Sequence, residues 1–343
     1  MSSKIVGKPV VRHDAWAKVR GEVAYADDYS VPGMLYGKVL RSKYPASLIK
    51  SIDTSRAAAL DGVKAVLTAR DVPRNESVTK FGQSRDVGSG FEGMYRVLAD
   101  KKVRFMGEAV ALVAAESEEI AANALGLIDV QYEPLPGVFD PLEAMKPGAY
   151  LVGEGDSNVV TRYRVNEGDM QKGWEQAEVV VENTYRVPFV DHAYLEPESG
   201  VAWVDENGVV NIRVCTQVIE HFRTVAEVLG LPQNKVRVIG TLVGGGFGGK
   251  EDITVETFLA LLAWKTRRPV KMTFTREESI LAHSKRHPYV MRYKTGATRD
   301  GKLVAVEAQL VSDAGAYVYL SPWVLMYSAV NATGCLLYTS PSP

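Results

Sequence analysis

Cysteine is nearly missing from this chain of 343 residues: Cys215 and Cys335 are the only two, far apart and with no CxxC spacing. A disulfide framework, a structural zinc site and an iron–sulfur cluster are therefore excluded for this chain alone, and any electron relay lies elsewhere. Cys215, in an apolar strand pattern, reads as a small buried apolar residue. An excess of one charge is also missing. Lys and Arg number 40 against 41 Asp and Glu, a net charge of −1, which offers no general attraction to nucleic acid or an anionic membrane. No apolar run approaches a membrane span, Phe258–Trp264 being among the longest. Met1–Trp16 carries Lys4, Lys8, Arg12, His13 and Asp14 where a signal peptide needs an apolar core, so a cytoplasmic location is expected.

What is present is the balance of an ordinary globular protein, 46% hydrophobic and 24% charged, at a length that suits two domains. Residues 1–17 read as an N-terminal arm. From Gly21 to Leu135, short strands alternate with short helices: strands at Met34–Leu40 and Lys64–Thr68, a short helix at Thr54–Leu60, and a bent strand or strand pair at Val103–Ala114 around Gly107. Ser117 caps a helix with Ile120, Ala124 and Leu127 on one face, and Lys80–Tyr95 reads as a loop. A boundary is expected near Pro136, closing a domain over residues 18–136, with a Pro- and Gly-containing linker over 137–158. The second domain, 159–334, opens with strands at Val179–Arg186 and Val209–Val214. A helix follows at Val218–Leu229, ended by Gly230 and Pro232, then a buried helix at Asp252–Trp264 and a strand at Val304–Val311. The fold class expected is α+β. Cys335–Pro343 has the look of a non-native tail read through sequencing-adapter DNA, and the chain is taken as a truncated fragment.

The motif richest in chemistry is Gly244-Gly-Gly-Phe-Gly-Gly-Lys-Glu251, five glycines in eight positions after the apolar run Val236–Val243. Such a loop exposes backbone N–H groups to a bulky anionic ligand. It satisfies GxxxxGK, but Glu251 stands where a P-loop needs a Ser or Thr hydroxyl for magnesium, and a carboxylate there would repel phosphate. It also contains GxGxxG, yet lies late in the chain, and Pro269–Phe274 carries no acidic residue at the distance a ribose ligand requires.

A third reading uses more of the chain. The glycine loop is preceded by Cys215-Thr-Gln217, a helix, Gly230-Leu-Pro232 and a strand; this arrangement resembles the molybdenum-binding subunit of the xanthine dehydrogenase and aldehyde oxidase family. Similarity extends to Gly21–Asp28, Pro32-Gly-Met-Leu-Tyr36, Phe105-Met-Gly-Glu-Ala-Val-Ala111, His192-Ala-Tyr-Leu-Glu-Pro-Glu198, Lys285-Arg-His-Pro288 and Asp313-Ala-Gly-Ala-Tyr317, so it covers about residues 5–334.

The resemblance implies an α/β hammerhead domain followed by the first part of a mixed α/β molybdopterin-binding domain. It implies a molybdenum–pterin cofactor, in bacteria usually the cytosine dinucleotide, with iron–sulfur clusters and FAD on partner subunits. Gln217 corresponds to the glutamine beside the metal's oxo group, where an amide donates a hydrogen bond without adding charge. Gly246, Phe247 and Gly248 correspond to the loop that approaches the cofactor and packs beside substrate. Glu251 matches the carboxylate that contacts the heterocycle in purine-oxidising members; its bland alternative is an acid at a helix N-terminus. Tyr327 falls where xanthine-type enzymes carry an arginine; it lacks the guanidinium fork, which puts xanthine itself in doubt. His192 and Glu196, four apart, could share a helix face as metal ligands, but lack a third ligand and are expected to pack and hydrogen bond instead. Arg286 and His287 are expected to brace structure.

The implied activity inserts water-derived oxygen at an electron-poor carbon of an N-heterocycle or an aldehyde. A dehydroxylating relative resembling 4-hydroxybenzoyl-CoA reductase, or a non-catalytic cofactor-binding half of a split subunit, are the alternatives. The family's general base lies in the remaining C-terminal half, beyond this chain, so the fragment alone is expected to be inactive. Neither nucleic acid nor a membrane is expected as a partner.

Overall fold

The computed structural model describes residues 5–78, 94–153 and 156–332. Its centre is a mixed sheet of seven strands in the order Val236–Gly240, Val210–Val214, Ser199–Val204, Val270–Thr273, Leu35–Arg41, Ala109–Ala115 and Val63–Thr68. Two neighbour pairs run parallel, Val210–Val214 with Val236–Gly240 and Leu35–Arg41 with Val270–Thr273; the other pairs are antiparallel. The last three strands in that order precede residue 136 and the first four follow it, so one sheet joins the two halves of the chain. Every residue of Ala109–Ala115 is buried, which explains an apolar sequence with no alternation.

The helix Glu256–Thr266 lies against this sheet. Glu256 to Ala263 are all buried, and Phe258, Leu259 and Leu262 share a core with Leu35, Leu112, Ile212, Val214, Val270 and Met272. A helix enclosed on all sides is apolar all round, so its sequence shows no amphipathic stripe. On the other side, the Ser117 hydroxyl accepts the Ile120 N–H at 3.1 Å, the expected cap of the helix Glu118–Leu125. Ala121 and Ala124 of that helix pack with Ala111, Val113 and Ala115. A separate antiparallel sheet is built from Leu303–Ser312, Tyr289–Ala297 and Val179–Val187, in that order.

The α+β class is as expected, with local differences. Val103–Ala114 divides into Lys102–Val103 and Ala109–Ala115, and Gly107 at φ +103° makes the bend. The helix read over Val218–Leu229 begins as a 3-10 turn, Ile219–His221, before Phe222–Leu229, and Gly230 ends it in the left-handed region at φ +65°. The linker holds a short helix, Pro141–Ala144, because Asp140 caps it. Most of the loop read over Lys80–Tyr95 lies outside the described residues; at its end, Met94–Arg96 pairs with Glu76–Val78. The Cys335–Pro343 tail also lies outside them.

One buried contact ties the start of the Ala109–Ala115 strand to the loop before the last helix. Glu108, only 3% exposed, accepts the Arg104 N–H at 2.6 Å and the Tyr317 hydroxyl, while Phe105 meets the Tyr317 ring edge-on at 6.2 Å. Burial pushes the Glu108 carboxyl pKa up, against the pull of these donors. Tyr317→Phe leaves one carboxyl oxygen without this donor, so urea unfolding of the chain should show a loss of about 1–3 kcal/mol. An unchanged midpoint would show that the contact contributes nothing to stability.

Candidate functional site

The strands Val210–Val214 and Val236–Gly240 are parallel neighbours, so the segments leaving their carboxyl ends emerge side by side. The first segment carries Cys215, Thr216 and Gln217; the second carries the glycine loop. Binding sites on open sheets form at such ends because the loops there converge. Gln217 donates its backbone N–H to the Lys250 carbonyl at 2.9 Å. Its side-chain Oε1 accepts the N–H groups of Gly248 at 3.0 Å and Lys250 at 3.3 Å. A Cβ at Gly246 would collide with that same Oε1, so only glycine permits the approach. The structure thus brings Gln217, Gly246, Phe247 and Gly248 together.

The loop is held in unusual backbone conformations, Gly245 at φ +101° and the non-glycine Phe247 at φ +51°. Phe247 is 76% exposed. Beneath the loop, Lys250 is buried. Its Nζ lies 2.9 Å from Glu196 Oε2 and over the Tyr194 ring at 4.6 Å. Glu196 in turn accepts the Gly244 N–H at 2.7 Å and the Ala26 N–H at 3.3 Å, while the Tyr194 hydroxyl donates to the buried Glu198. A lysine committed to an internal carboxylate is not available to a phosphate, which is a second reason to reject a P-loop.

His192 and Glu196 do not share a helix face: the segment is irregular, with Ala193 at φ +48°. Glu196 supports the loop, and the His192 ring stacks near His283 at 5.6 Å. Burial lowers the pKa of both histidines. Asp191 pairs with Lys285 at 3.0 Å; burial pulls its pKa up, but Lys285 and the Ala193 N–H outweigh burial and lower it. Arg286 forms an isolated bridge with Val190, and His287 Nε2 lies 2.7 Å from Ser321 Oγ, both structural contacts. Cys215 is buried as expected, and burial pushes its thiol pKa up to about 12.

Glu251 is exposed beside this loop, and its carbonyl accepts from His221 Nε2 at 2.9 Å, with Tyr319 OH at 3.5 Å. It is not at a helix N-terminus, because the following helix begins only at Glu256. For the same reason the loop amides are not the first turn of a helix. The N–H groups of Gly244, Gly248, Gly249, Lys250 and Glu251 already have protein partners. Among the described residues, Gln217 Nε2 and the N–H groups of Gly245, Gly246 and Phe247 have none. Tyr327 stands 63% exposed on the helix Ser321–Asn331, and no hydrogen bond or ring contact joins it to Gln217, Phe247 or Glu251. Tyr319, which the sequence did not single out, is the tyrosine that reaches Glu251.

The family profile of the molybdopterin cofactor-binding domain matches residues 152–341. That of the aldehyde oxidase and xanthine dehydrogenase a/b hammerhead domain matches residues 20–136. The chain belongs to this family.

The nicotinate dehydrogenase large molybdopterin subunit of Eubacterium barkeri is 39% identical over 333 residues, covering 96% of this chain and 76% of that protein. The xanthine dehydrogenase molybdenum-binding subunit of Escherichia coli O157:H7 is 34% identical over 317 residues, covering 90% of this chain and 41% of that one. Among solved structures, the aldehyde oxidoreductase of Desulfovibrio desulfuricans superposes with a TM-score of 0.83 at 29% identity, covering 89% of this chain and 34% of that chain. The chain therefore spans well under half the length of some relatives and about three quarters of another. A hammerhead domain followed by a molybdopterin-binding domain, the α+β arrangement the resemblance implied, is the family's fold here.

The residues present fit such a cofactor. Among the described residues no group of three or more His, Cys, Asp or Glu could hold a metal ion. The unpartnered donors, Gln217 Nε2 and three loop N–H groups, are uncharged and suit an oxygen-bearing anionic group. Among the described residues, no helix is long and apolar enough to cross a membrane.

Lys250→Met strips the largely buried Glu196 of its cation and should cost about 3 kcal/mol in urea unfolding, while Lys250→Met with Glu196→Gln should recover part of it. Equal losses in the single and double variants would refute a charge-based role. Cys215 should resist alkylation at pH 8 in the folded chain and react on unfolding, as read by mass spectrometry.

Proposed function

We propose that the chain is the N-terminal half of the catalytic, molybdenum-binding subunit of a hydroxylase that inserts water-derived oxygen at an electron-poor carbon of an N-heterocycle. In this reading residues 18–136 are the hammerhead domain, 137–158 the linker and 159–334 the first part of the cofactor domain. The observation that carries it is the meeting of the Gln217 amide with the glycine-loop backbone, 3.0 Å from Oε1 to the Gly248 nitrogen. That bond uses the amide's acceptor and leaves its donor, Nε2, to hold an oxygen of a bound cofactor.

Bound there, a molybdenum–pterin cofactor, in this reading the cytosine dinucleotide, supplies a water-derived oxygen nucleophile and takes up two electrons. The chain's own residues orient and solvate. Gln217 Nε2 and the free N–H groups of Gly245–Phe247 act as neutral donors, holding an oxyanion in place without forming a fixed ion pair. The exposed Phe247 offers a flat apolar face against which an aromatic substrate can lie. The Glu251 carboxylate accepts a ring N–H, or shares a proton with a ring nitrogen, as negative charge spreads over the heterocycle. Tyr327, in the arginine's place by the resemblance, brings no guanidinium fork, which argues against xanthine itself. Nicotinate in the name of one relative and xanthine in another favour a nitrogen heterocycle over an aldehyde.

With one buried cysteine among the described residues and one other in the chain, electrons leave through partner subunits that carry iron–sulfur clusters and FAD. The remaining C-terminal half supplies the general base and further pterin contacts, and the assembly works in the cytoplasm.

The test is the full-length subunit, expressed with its partners and assayed on nicotinate-like and purine substrates. Glu251→Ala should lower kcat/KM about 100-fold while molybdenum per subunit stays unchanged. Unchanged kinetics with full metal loading would remove Glu251 from the site. Gly246→Ala should displace the Gln217 amide and reduce molybdenum content, measured by metal analysis.

A further inference from the structure

His221 ends the 3-10 turn that follows Gln217, and its side chain is 1% exposed. Nδ1 lies 2.8 Å from Glu256 Oε1, and Nε2 lies 2.9 Å from the Glu251 carbonyl oxygen. A carbonyl only accepts, so Nε2 carries its hydrogen; with Glu256 ionised, Nδ1 carries one as well, and the ring is an imidazolium. Glu256 is itself completely buried, and its other oxygen accepts the Thr254 N–H at 2.7 Å and the Thr254 hydroxyl at 3.3 Å. Thr216, next to Gln217, places its hydroxyl 3.3 Å from His221 Nδ1 and 3.3 Å from the Lys250 carbonyl.

These contacts meet under the site from three directions: the Thr216–Gln217 segment, the Lys250–Glu251 turn and the buried helix. We propose that His221 is a positioning residue, a buried imidazolium that holds Gln217 and Glu251 in fixed relation from below. The proposal rests on the reading of those two residues as parts of the site. Neither touches the other directly through its side chain, and the glycine-rich segment between them is the part of the chain least able to hold a shape by itself.

The electrostatics agree. Burial by itself lowers the His221 pKa, but the charge and hydrogen bond of Glu256, the Glu251 carbonyl and the more distant Asp252 outweigh burial and raise it. For Glu256, burial works toward a higher pKa and His221 prevails, lowering it. The charged groups acting on the ring are therefore Glu256 from the helix and Asp252 from the turn before it. A raised histidine pKa contributes stability that is complete below the ordinary value of 6.5 and is lost as pH rises through the folded value. The lowered Glu256 pKa makes its contribution disappear as pH falls through its folded value.

The test uses the full-length subunit in its assembled enzyme. Nitrogen-15 NMR of labelled histidine should find the His221 ring doubly protonated at pH 7 and still so when exposed histidines have lost their proton. A singly protonated ring at pH 7 overturns the proposal. Because His221→Ala strands a buried anion and can simply misfold, the kinetic variant is His221→Gln with Glu256→Gln, a neutral pair that keeps a hydrogen bond. It should lower kcat/KM about tenfold at unchanged molybdenum content. That loss should largely vanish in a Glu251→Ala background. Where Glu251→Ala by itself lowers kcat/KM, full additivity with it also overturns the proposal, as does the absence of any loss in the neutral pair. If Glu251→Ala alone changes nothing while the ring stays doubly protonated and the neutral pair still loses activity, the reading of Glu251 fails and the clamp stands through Gln217.

Discussion

A buried ion pair between Lys250 and Glu196 carries the weight of the glycine loop. Without it, a loop with five glycines in six positions would have little side-chain volume to settle on. One oxygen of Glu196 takes both the Lys250 ammonium and the Gly244 N–H, and the other takes the N–H of Ala26 from near the start of the chain. Burying two charges is costly, and in stability alone an apolar pair often does as well. What the pair gives here is a unique conformation. A carboxylate that must satisfy two amides far apart in the sequence, Ala26 and Gly244, together with an ammonium fits only one arrangement of the loop.

Above that pair the donors that face the cofactor are uncharged; below it the charges are matched. Gln217 offers an amide, and Gly245–Phe247 offer backbone N–H groups, whereas the buried Lys250 pairs with the largely buried Glu196 and the buried His221 with the buried Glu256. This layering suits a cofactor that brings its own negative charge and its own metal. A free cation at the surface would fix such a group by ion pairing and compete with the charge changes of redox chemistry. Dipoles hold it without adding charge.

The same layering explains the position of the site on the sheet. Parallel pairing of Val210–Val214 with Val236–Gly240 delivers two loops to one edge, and the helix Glu256–Thr266 then returns the chain beneath them. Glu256 at the start of that helix is buried because it serves His221, so the helix that fills the core also braces the site. Packing and function share these residues.

Much of this was legible in local sequence. Gly244–Glu251, Cys215-Thr-Gln217 and the capping Ser117 announce a backbone-exposing turn, a polar residue past a strand end and a helix start, because each depends on neighbours within a few positions. The family followed from their order. Contacts between distant residues were not legible. His221 meets Glu256 across 35 positions and Lys250 meets Glu196 across 54, and no periodicity marks such pairs. The helix expected over Asp252–Trp264 begins only at Glu256, because an apolar run shows that a segment is buried but not where its first helical turn closes. The sequence alone determined which chemistry the residues can offer. Tertiary structure decided which of them face the ligand and which are used up beneath it, because charge pairing and burial depend on distances that only the folded chain sets.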